Sequence, residues 1–260
     1  MQDASLCSLK CASGHNFDVA KEGYVNLLPS HKKNSLEPGD SAQMIAARRR
    51  VHSAGLYRPV HEAIFSQLSA YPGPATVLEL GCGEGYYSNA LQQYWPAAQV
   101  GAIDISKTAV RLAAKAYPQV AFAVASSFDI PVPSDSHELL LRIFAPAKDT
   151  EVHRVLKEGA HYLELTPAPH HMWTLRSALY QTPKPHEDAR SEIPGLECCD
   201  QQLLEFEIDV EGELLKDLVA MTPFAHRGHR EKRERLLAGQ GVTVEMVFSL
   251  RLFRRQRGEQ

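Results

Sequence analysis

Between Val77 and Leu165 the spacing of apolar and polar positions changes rhythm repeatedly, and those changes predict the fold. Val77-Leu78-Glu79-Leu80 favours extension, and Tyr87 to Tyr94 carries helical spacing. Gln99 to Ile103 reads as a second strand and Lys107 to Ala116 as a second helix. Strands near Ala121 to Ala125, Leu139 to Ile143 and His161 to Leu165 follow, with a helix through Val152 and Leu156 between the last two. Such alternation predicts an α/β architecture, a doubly wound and mostly parallel sheet with helices on both faces and ligands at the carboxyl ends of its strands. The tail is patterned differently. Leu203 to Val210 and Val242 to Phe253 read as strands flanking a helix at Glu213 to Ala220, and the last strand alternates Val244, Met246, Phe248, Leu250 and Leu252. This pair suits an antiparallel closure at one edge of the sheet.

Ahead of the repeat, Ser35 to Asp40 reads as a turn, with Ser41 as the N-cap of a helix that carries Met44, Ile45 and Arg48-Arg49-Arg50 and ends at Gly55. A second helix, Tyr57 to Leu68, presents Val60, Ile64, Phe65 and Leu68 as a core-facing stripe. Pro72-Gly73-Pro74 then breaks the chain, which predicts three segments: a small module over 1–35, a helical linker over 36–72 and a main domain over 73–260.

With 260 residues, 44% of them hydrophobic, the chain has the material for a large core and a small appendage. No apolar run approaches the roughly 20 residues that span a bilayer, and no basic-then-apolar stretch opens the sequence, so no membrane partner and a cytoplasmic location are expected. Five cysteines form no disulfide framework. The net charge of −3 hides a polarised chain: residues 1–60 carry 8 Lys and Arg against 5 Asp and Glu, and residues 222–260 carry 9 against 4. Basic blocks at Arg48 to Arg50, Arg230 to Arg235 and Arg251 to Arg257 would suit a polyanion, and any single run also reads as a solvated helix face.

The candidate chemistry centres on Gly81-Cys82-Gly83-Glu84-Gly85, which directly follows the first strand of the repeat. Glycine belongs where a chain must turn tightly and let a ligand approach closer than a Cβ permits. Asp104 follows at the end of the second strand, where such folds place the acid that accepts hydrogen bonds from ribose hydroxyls, although it could also cap the next helix. The Gly-x-Gly-x-Gly spacing fits S-adenosylmethionine better than a nicotinamide cofactor. In these residues the chain resembles the class I methyltransferases, a Rossmann-like fold. That likeness implies an adenine contact near Ser126 and Ser127. Ile143-Phe144-Ala145-Pro146, in place of the Asp/Asn-Pro-Pro-aromatic signature, argues against an exocyclic amine target.

A longer set of segments narrows the resemblance. Cys11-x3-His15-Asn16-Phe17-Asp18, Ala20 to Leu28, Pro38 to Ser41, Arg142 to Pro146, Thr166-Pro167 and Met221-Thr222-Pro223-Phe224 are together similar, in order, to the 23S rRNA (guanine-N1)-methyltransferases of Gram-negative type. The family implies a zinc-ribbon-like N-terminal module that helps recognise an rRNA hairpin, a homodimer with a basic cleft, and methyl transfer from S-adenosylmethionine to guanine N1 of 23S rRNA. By position, Tyr57, Gly81, Gly83, Glu84, Gly85 and His171 would contact the cofactor and Asp104 its ribose, with His170 an alternative to His171. Cys11 and His15 would hold zinc, with Cys7 as a third ligand. The family's Cys-x2-Cys ahead of that pair is not found here, so the ligand set is incomplete and a weak site is expected. Tyr57, Phe144 and Phe224 are candidates for stacking a displaced base or for core packing. No general base is evident. Two other readings stay open: a small-molecule methyltransferase and a non-catalytic RNA-binding protein.

Overall fold

The computed structural model describes residues 8–11, 13–29, 39–187, 192–222 and 229–257. Cys7, Pro38, Pro223 and Phe224 lie outside them, as does most of the expected turn at 35–40. The chain begins with a two-stranded antiparallel sheet, β1 (Ser8–Lys10) and β2 (Asn16–Asp18). Then β3 (Val25–Asn26) joins the large sheet beside β6 (Ala121–Val124) in parallel. Two helices follow, α1 (Ala42–Ser53) and α2 (Arg58–Leu68). The Ser41 hydroxyl accepts from the Met44 amide at 3.3 Å, as its N-cap position predicts.

The repeat then runs β4 (Thr76–Leu80), α3 (Tyr86–Tyr94), β5 (Gln99–Asp104), α4 (Lys107–Ala116), β6, β7 (His137–Ile143), α5 (Asp149–Val155) and β8 (Leu156–Pro167). Leu156 was expected to continue the helix. Instead α5 passes into β8 without a loop, and Leu156 is the first residue of the strand. The remaining elements are α6 (Trp173–Leu179), β9 (Leu196–Val210), α7 (Gly212–Ala220), α8 (Arg230–Leu237) and β10 (Val242–Arg255).

The large sheet has the order β3-β6-β5-β4-β7-β8-β10-β9. Its strands are parallel from β3 through β8, and β10 lies antiparallel between β8 and β9. Central β4 buries both faces. Val77 packs into the core on one side, while Leu78 and Leu80 pack with Ile103 and Leu140 on the other, which is why its apolar run barely alternates. From β4 the chain steps to β5 on one side and later to β7 on the other. The carboxyl ends of these strands therefore diverge around a crevice, the usual ligand position in a doubly wound sheet.

Candidate functional site

The crevice is one cavity of about 980 Å³ extending over the ends of β5, β4, β7 and β8. Its floor is the glycine turn. Gly81, Gly83 and Gly85 have φ of +72°, +55° and +85°, a left-handed region in which only glycine is unstrained. A Cβ on Gly81 would stand 2.2 Å from that of Ala145, so the turn after β4 and the loop after β7 press directly together. Gly85 faces elsewhere: a Cβ there would meet Ala113, Tyr117 and Phe122, each at 3.0 Å. It seats the start of α3 against α4 and β6 and does not line the cavity.

The other expected cofactor residues, Tyr57, Gly81, Gly83, Glu84, Asp104, Ser126 and His171, are brought together on the cavity wall. One Asp104 oxygen accepts from the Gly83 amide at 2.8 Å and the other from the Ser106 amide at 2.7 Å. Asp104 thus clamps the turn, while the helix-capping role belongs to Ser106, whose hydroxyl accepts from Ala109. Burial raises the Asp104 pKa, with the two amides opposing it. Glu84 is buried and paired with His52 at 2.8 Å, and the His52 ring stacks on Tyr86 at 4.2 Å. Glu79, beneath the turn, accepts from the Ser88 hydroxyl, and its burial pushes its pKa up to about 8. Tyr57 is buried, and that burial raises its phenol above its ordinary range.

Over β7 and β8 the wall becomes aromatic. Phe144 is 40% exposed and held at φ +55°, its ring 5.2 Å from Phe248, and Phe248 lies 4.4 Å from His171. Met172, beside His171, is also left-handed at φ +52°. Two of the three left-handed non-glycine residues described therefore line this one cavity, a concentration of backbone strain typical of functional sites. His171 Nδ1 accepts the Val247 amide at 3.2 Å. Burial, assisted by His186 and Arg176, lowers the His171 pKa to about 3. The neighbouring His170 is exposed, packs edge-on to Trp173 at 5.0 Å and does not line the cavity.

Sequence reasoning missed His52, Asp40 and His186, all on the wall. His52 was discoverable: it lies one helical turn after Arg48 and shares its face. Arg48 itself turns inward, 2.6 Å from Asp40, and Arg50 makes two bonds of 2.6 Å to Asp217 on α7. The Arg48 to Arg50 run is therefore not a set of three solvated cations.

At the N-terminal hairpin, Cys11 Sγ and His15 Nδ1 lie 3.2 Å apart, and that hydrogen bond lowers the Cys11 pKa. A tetrahedral zinc at ordinary bond lengths would hold this pair about 3.6 Å apart, so the two are close to ligand spacing. Among the described residues no cluster of three or more His, Cys, Asp or Glu is placed to hold a metal. Among the described residues, Cys11 and His15 are two of the four donors a structural site needs.

Comparison with known proteins agrees with this geometry. A family model for the zinc ribbon at the RlmA N-terminus matches residues 4–36, and a methyltransferase-domain model matches residues 77–164. The chain is 31% identical over 255 residues to the 23S rRNA (guanine(748)-N(1))-methyltransferase of Streptomyces fradiae, an alignment spanning 94% of this chain and 90% of the relative. It is 30% identical over 268 residues to a protein of Micromonospora griseorubida named for the same guanine-N1 reaction, covering 95% and 90%. Among solved structures, the YcgJ protein from Bacillus subtilis superposes with a TM-score of 0.51 at 18% identity, over 76% of this chain and 99% of that one. A chain solved in work on disulfide-to-thioacetal conversion in echinomycin biosynthesis gives 0.53 at 15%, over 78% and 83%. The fold is that of a class I methyltransferase.

Proposed function

Because the chain belongs to the 23S rRNA (guanine-N1)-methyltransferase family, we infer that it transfers a methyl group from S-adenosylmethionine to N1 of a specific guanine in a hairpin of 23S rRNA. The observation that carries this reading is the likeness to the Streptomyces fradiae enzyme over most of both chains, joined to a glycine turn clamped by the Asp104 carboxylate. The cavity residues fit the cofactor. Asp104 offers a half-buried carboxylate, Gly83 lets a ligand approach the backbone, and Ser126 lies one strand further on for the adenine. Tyr57, Gly81, Glu84 and His171 complete the wall, with Gly85 supporting the turn from behind.

When bound, S-adenosylmethionine supplies an electrophilic methyl on a sulfonium and leaves as S-adenosylhomocysteine. The chain's own task is to position the guanine and free its N1 lone pair, since the leaving group is already good. Phe144, exposed and aimed by its left-handed backbone, is the platform on which a displaced guanine stacks. Tyr57 is packed between His52 and Phe248 and shapes the pocket from below. Asp40, Arg48, His52 and Tyr57 all come from residues 36–72, which supports a linker contributing directly to the cofactor site.

Residues 1–35 form the RNA-recognition module, and 73–260 form the methyltransferase domain. Cys11 and His15, with Cys7 as a third donor, are the residues of this module that would hold zinc. Metal analysis by mass spectrometry after dialysis should find zinc below one equivalent per chain. The protein acts as a homodimer in the cytoplasm, a state that light scattering in solution checks. No helix among the described residues is long and apolar enough to cross a membrane. The decisive experiment is mass mapping of large-subunit rRNA from a deletion strain. One N1-methylguanine should disappear, and an unchanged map would overturn the reading.

A further inference from the structure

Guanine N1 carries a proton that must leave when N1 is methylated, so an acceptor is needed at the acceptor end of the cavity. With the ribose acid at β5 and the turn at β4, that end lies over β8, where His171, Arg176, Lys184 and His186 form the wall. The cavity's acids and imidazoles can be accounted for in turn. Asp40 faces Arg48, both Asp104 oxygens take backbone amides, and Glu84 is paired with His52. Glu79 is buried beneath the turn against Ser88 and holds its proton at neutral pH. His171 spends Nδ1 on the Val247 amide, so its neutral ring carries hydrogen on Nε2 and can only donate into the cavity. His186 differs. Its backbone amide donates to the Pro169 carbonyl at 3.0 Å, its ring lies 6.2 Å from His171, and its Nε2 is buried with no hydrogen-bond partner.

We propose that His186 Nε2 is the general base that accepts the N1 proton of the target guanine, a role resting on the guanine-N1 reading above. As N1 bonds to the methyl carbon, the carbon–sulfur bond breaks with its electron pair moving to sulfur, and the N1 proton passes to His186, which later releases it to solvent. Burial, then the Arg176 charge, lowers the His186 pKa, so the ring is neutral at physiological pH. The charged and titrating groups around it are His171, Arg176 and Lys184. A weak base suffices because N1–H becomes strongly acidic as the methyl bond forms.

The test is single-turnover methylation of an unmodified 23S hairpin by wild type, His186→Ala and His170→Ala, across pH 5.5 to 9.5, alongside calorimetry with S-adenosylmethionine. Wild-type rate should fall below a pKa under 6.5, and NMR titration of the His186 ring in the free protein should give a pKa under 6.5 as well. His186→Ala should lose about 100-fold or more at pH 7, within the usual range for a general base. It should regain rate about tenfold per pH unit as the guanine ionises, while keeping cofactor affinity within about threefold. His170→Ala should match wild type. A His186→Ala rate within about threefold of wild type, a loss constant at every pH, or a parallel loss of cofactor affinity would each overturn the assignment. Wild type that leaves guanine N1 unmethylated would overturn the functional reading beneath it.

Discussion

Asp104→Asn separates a ligand-binding acid from a structural clamp, because the two roles predict opposite patterns. The native carboxylate accepts two backbone amides, and the asparagine can satisfy one, leaving its NH2 to face the other. An amide left without an acceptor costs about 1–3 kcal/mol. Against this, burial already outweighs the two amides and raises the carboxyl's pKa, so removing the charge relieves desolvation and offsets part of that cost. Stability should therefore change little, with Tm within a few degrees of wild type. Cofactor binding has no such compensation. A ribose hydroxyl bonded to a carboxylate contributes about 1.5–3 kcal/mol, and at 1.4 kcal/mol per tenfold the Kd should rise by roughly 10- to 150-fold. Calorimetric titration with S-adenosylmethionine, paired with thermal unfolding, reads both quantities. Unchanged affinity together with a clear fall in Tm would make Asp104 a clamp and remove it from the ribose.

Glu79 predicts a pH dependence of stability in the cofactor-free protein. Its folded pKa of about 8 lies above its ordinary value, so the stabilisation is complete below about pH 4.5 and is lost as pH rises toward 8, by at most about 1.4 kcal/mol per unit. Glu79→Gln keeps an acceptor for Ser88 without a charge; in urea unfolding its advantage over wild type should grow between pH 5 and 7.5, and a constant difference would contradict the argument. Gly81→Ala should cost about 2–5 kcal/mol and abolish cofactor binding, combining a left-handed φ with a 2.2 Å collision. Gly23→Ala, at φ +92° with open space around it, should cost only about 1–2 kcal/mol, and equal losses at both positions would show that the contact with Ala145 is yielding. Arg50→Ala should lower stability slightly and show coupling to Asp217 in a double-mutant cycle, whereas Arg49→Ala should leave stability unchanged and reduce the salt slope of hairpin binding by about one. Hairpin titrations between 50 and 200 mM salt decide the second, and an unaltered slope would make Arg49 a solvated residue.

Much of the α/β half was legible because each element carried its own signal. Strands β4 and β7 are buried on both faces and read as short apolar runs, and α4 presents Ala109, Val110, Ala113 and Ala114 as a buried stripe behind its Ser106 cap. Elements held mainly by distant partners were not legible. β3 is two residues long and exists through parallel pairing with β6, far along the chain. α8 has no buried residue and combines an Arg230–Glu234 pair with packing on α6 and α7, so its sequence carries no apolar stripe and read only as a basic block, polyanion-binding or a solvated helix face. His186 is reached from β8 through a helix and an irregular loop, and no periodicity points to it.

The arginine run shows how a correct helix assignment can still give the wrong environment. Arg48 and Arg50 are two residues apart, hence about 200° apart around an α-helix turning 3.6 residues per cycle. In a helix lying on the surface, one of the two would face the core, where an unpaired guanidinium is prohibitively costly. From sequence the run reads as a polyanion-binding block or a solvated helix face. α1 instead lies between the cofactor cavity and α7, and each arginine finds a carboxylate on its own side: Asp40 for Arg48 and Asp217 for Arg50. His52, one turn past Arg48, reaches Glu84 by the same geometry. Two ion pairs and one hydrogen bond thus tie α1 to the turn preceding it, to α7 and to the glycine turn. The segment before Pro72 is accordingly a wall of the cavity, and a substitution at Arg48 or His52, two α1 residues that line it, should register in cofactor affinity before it registers in RNA binding.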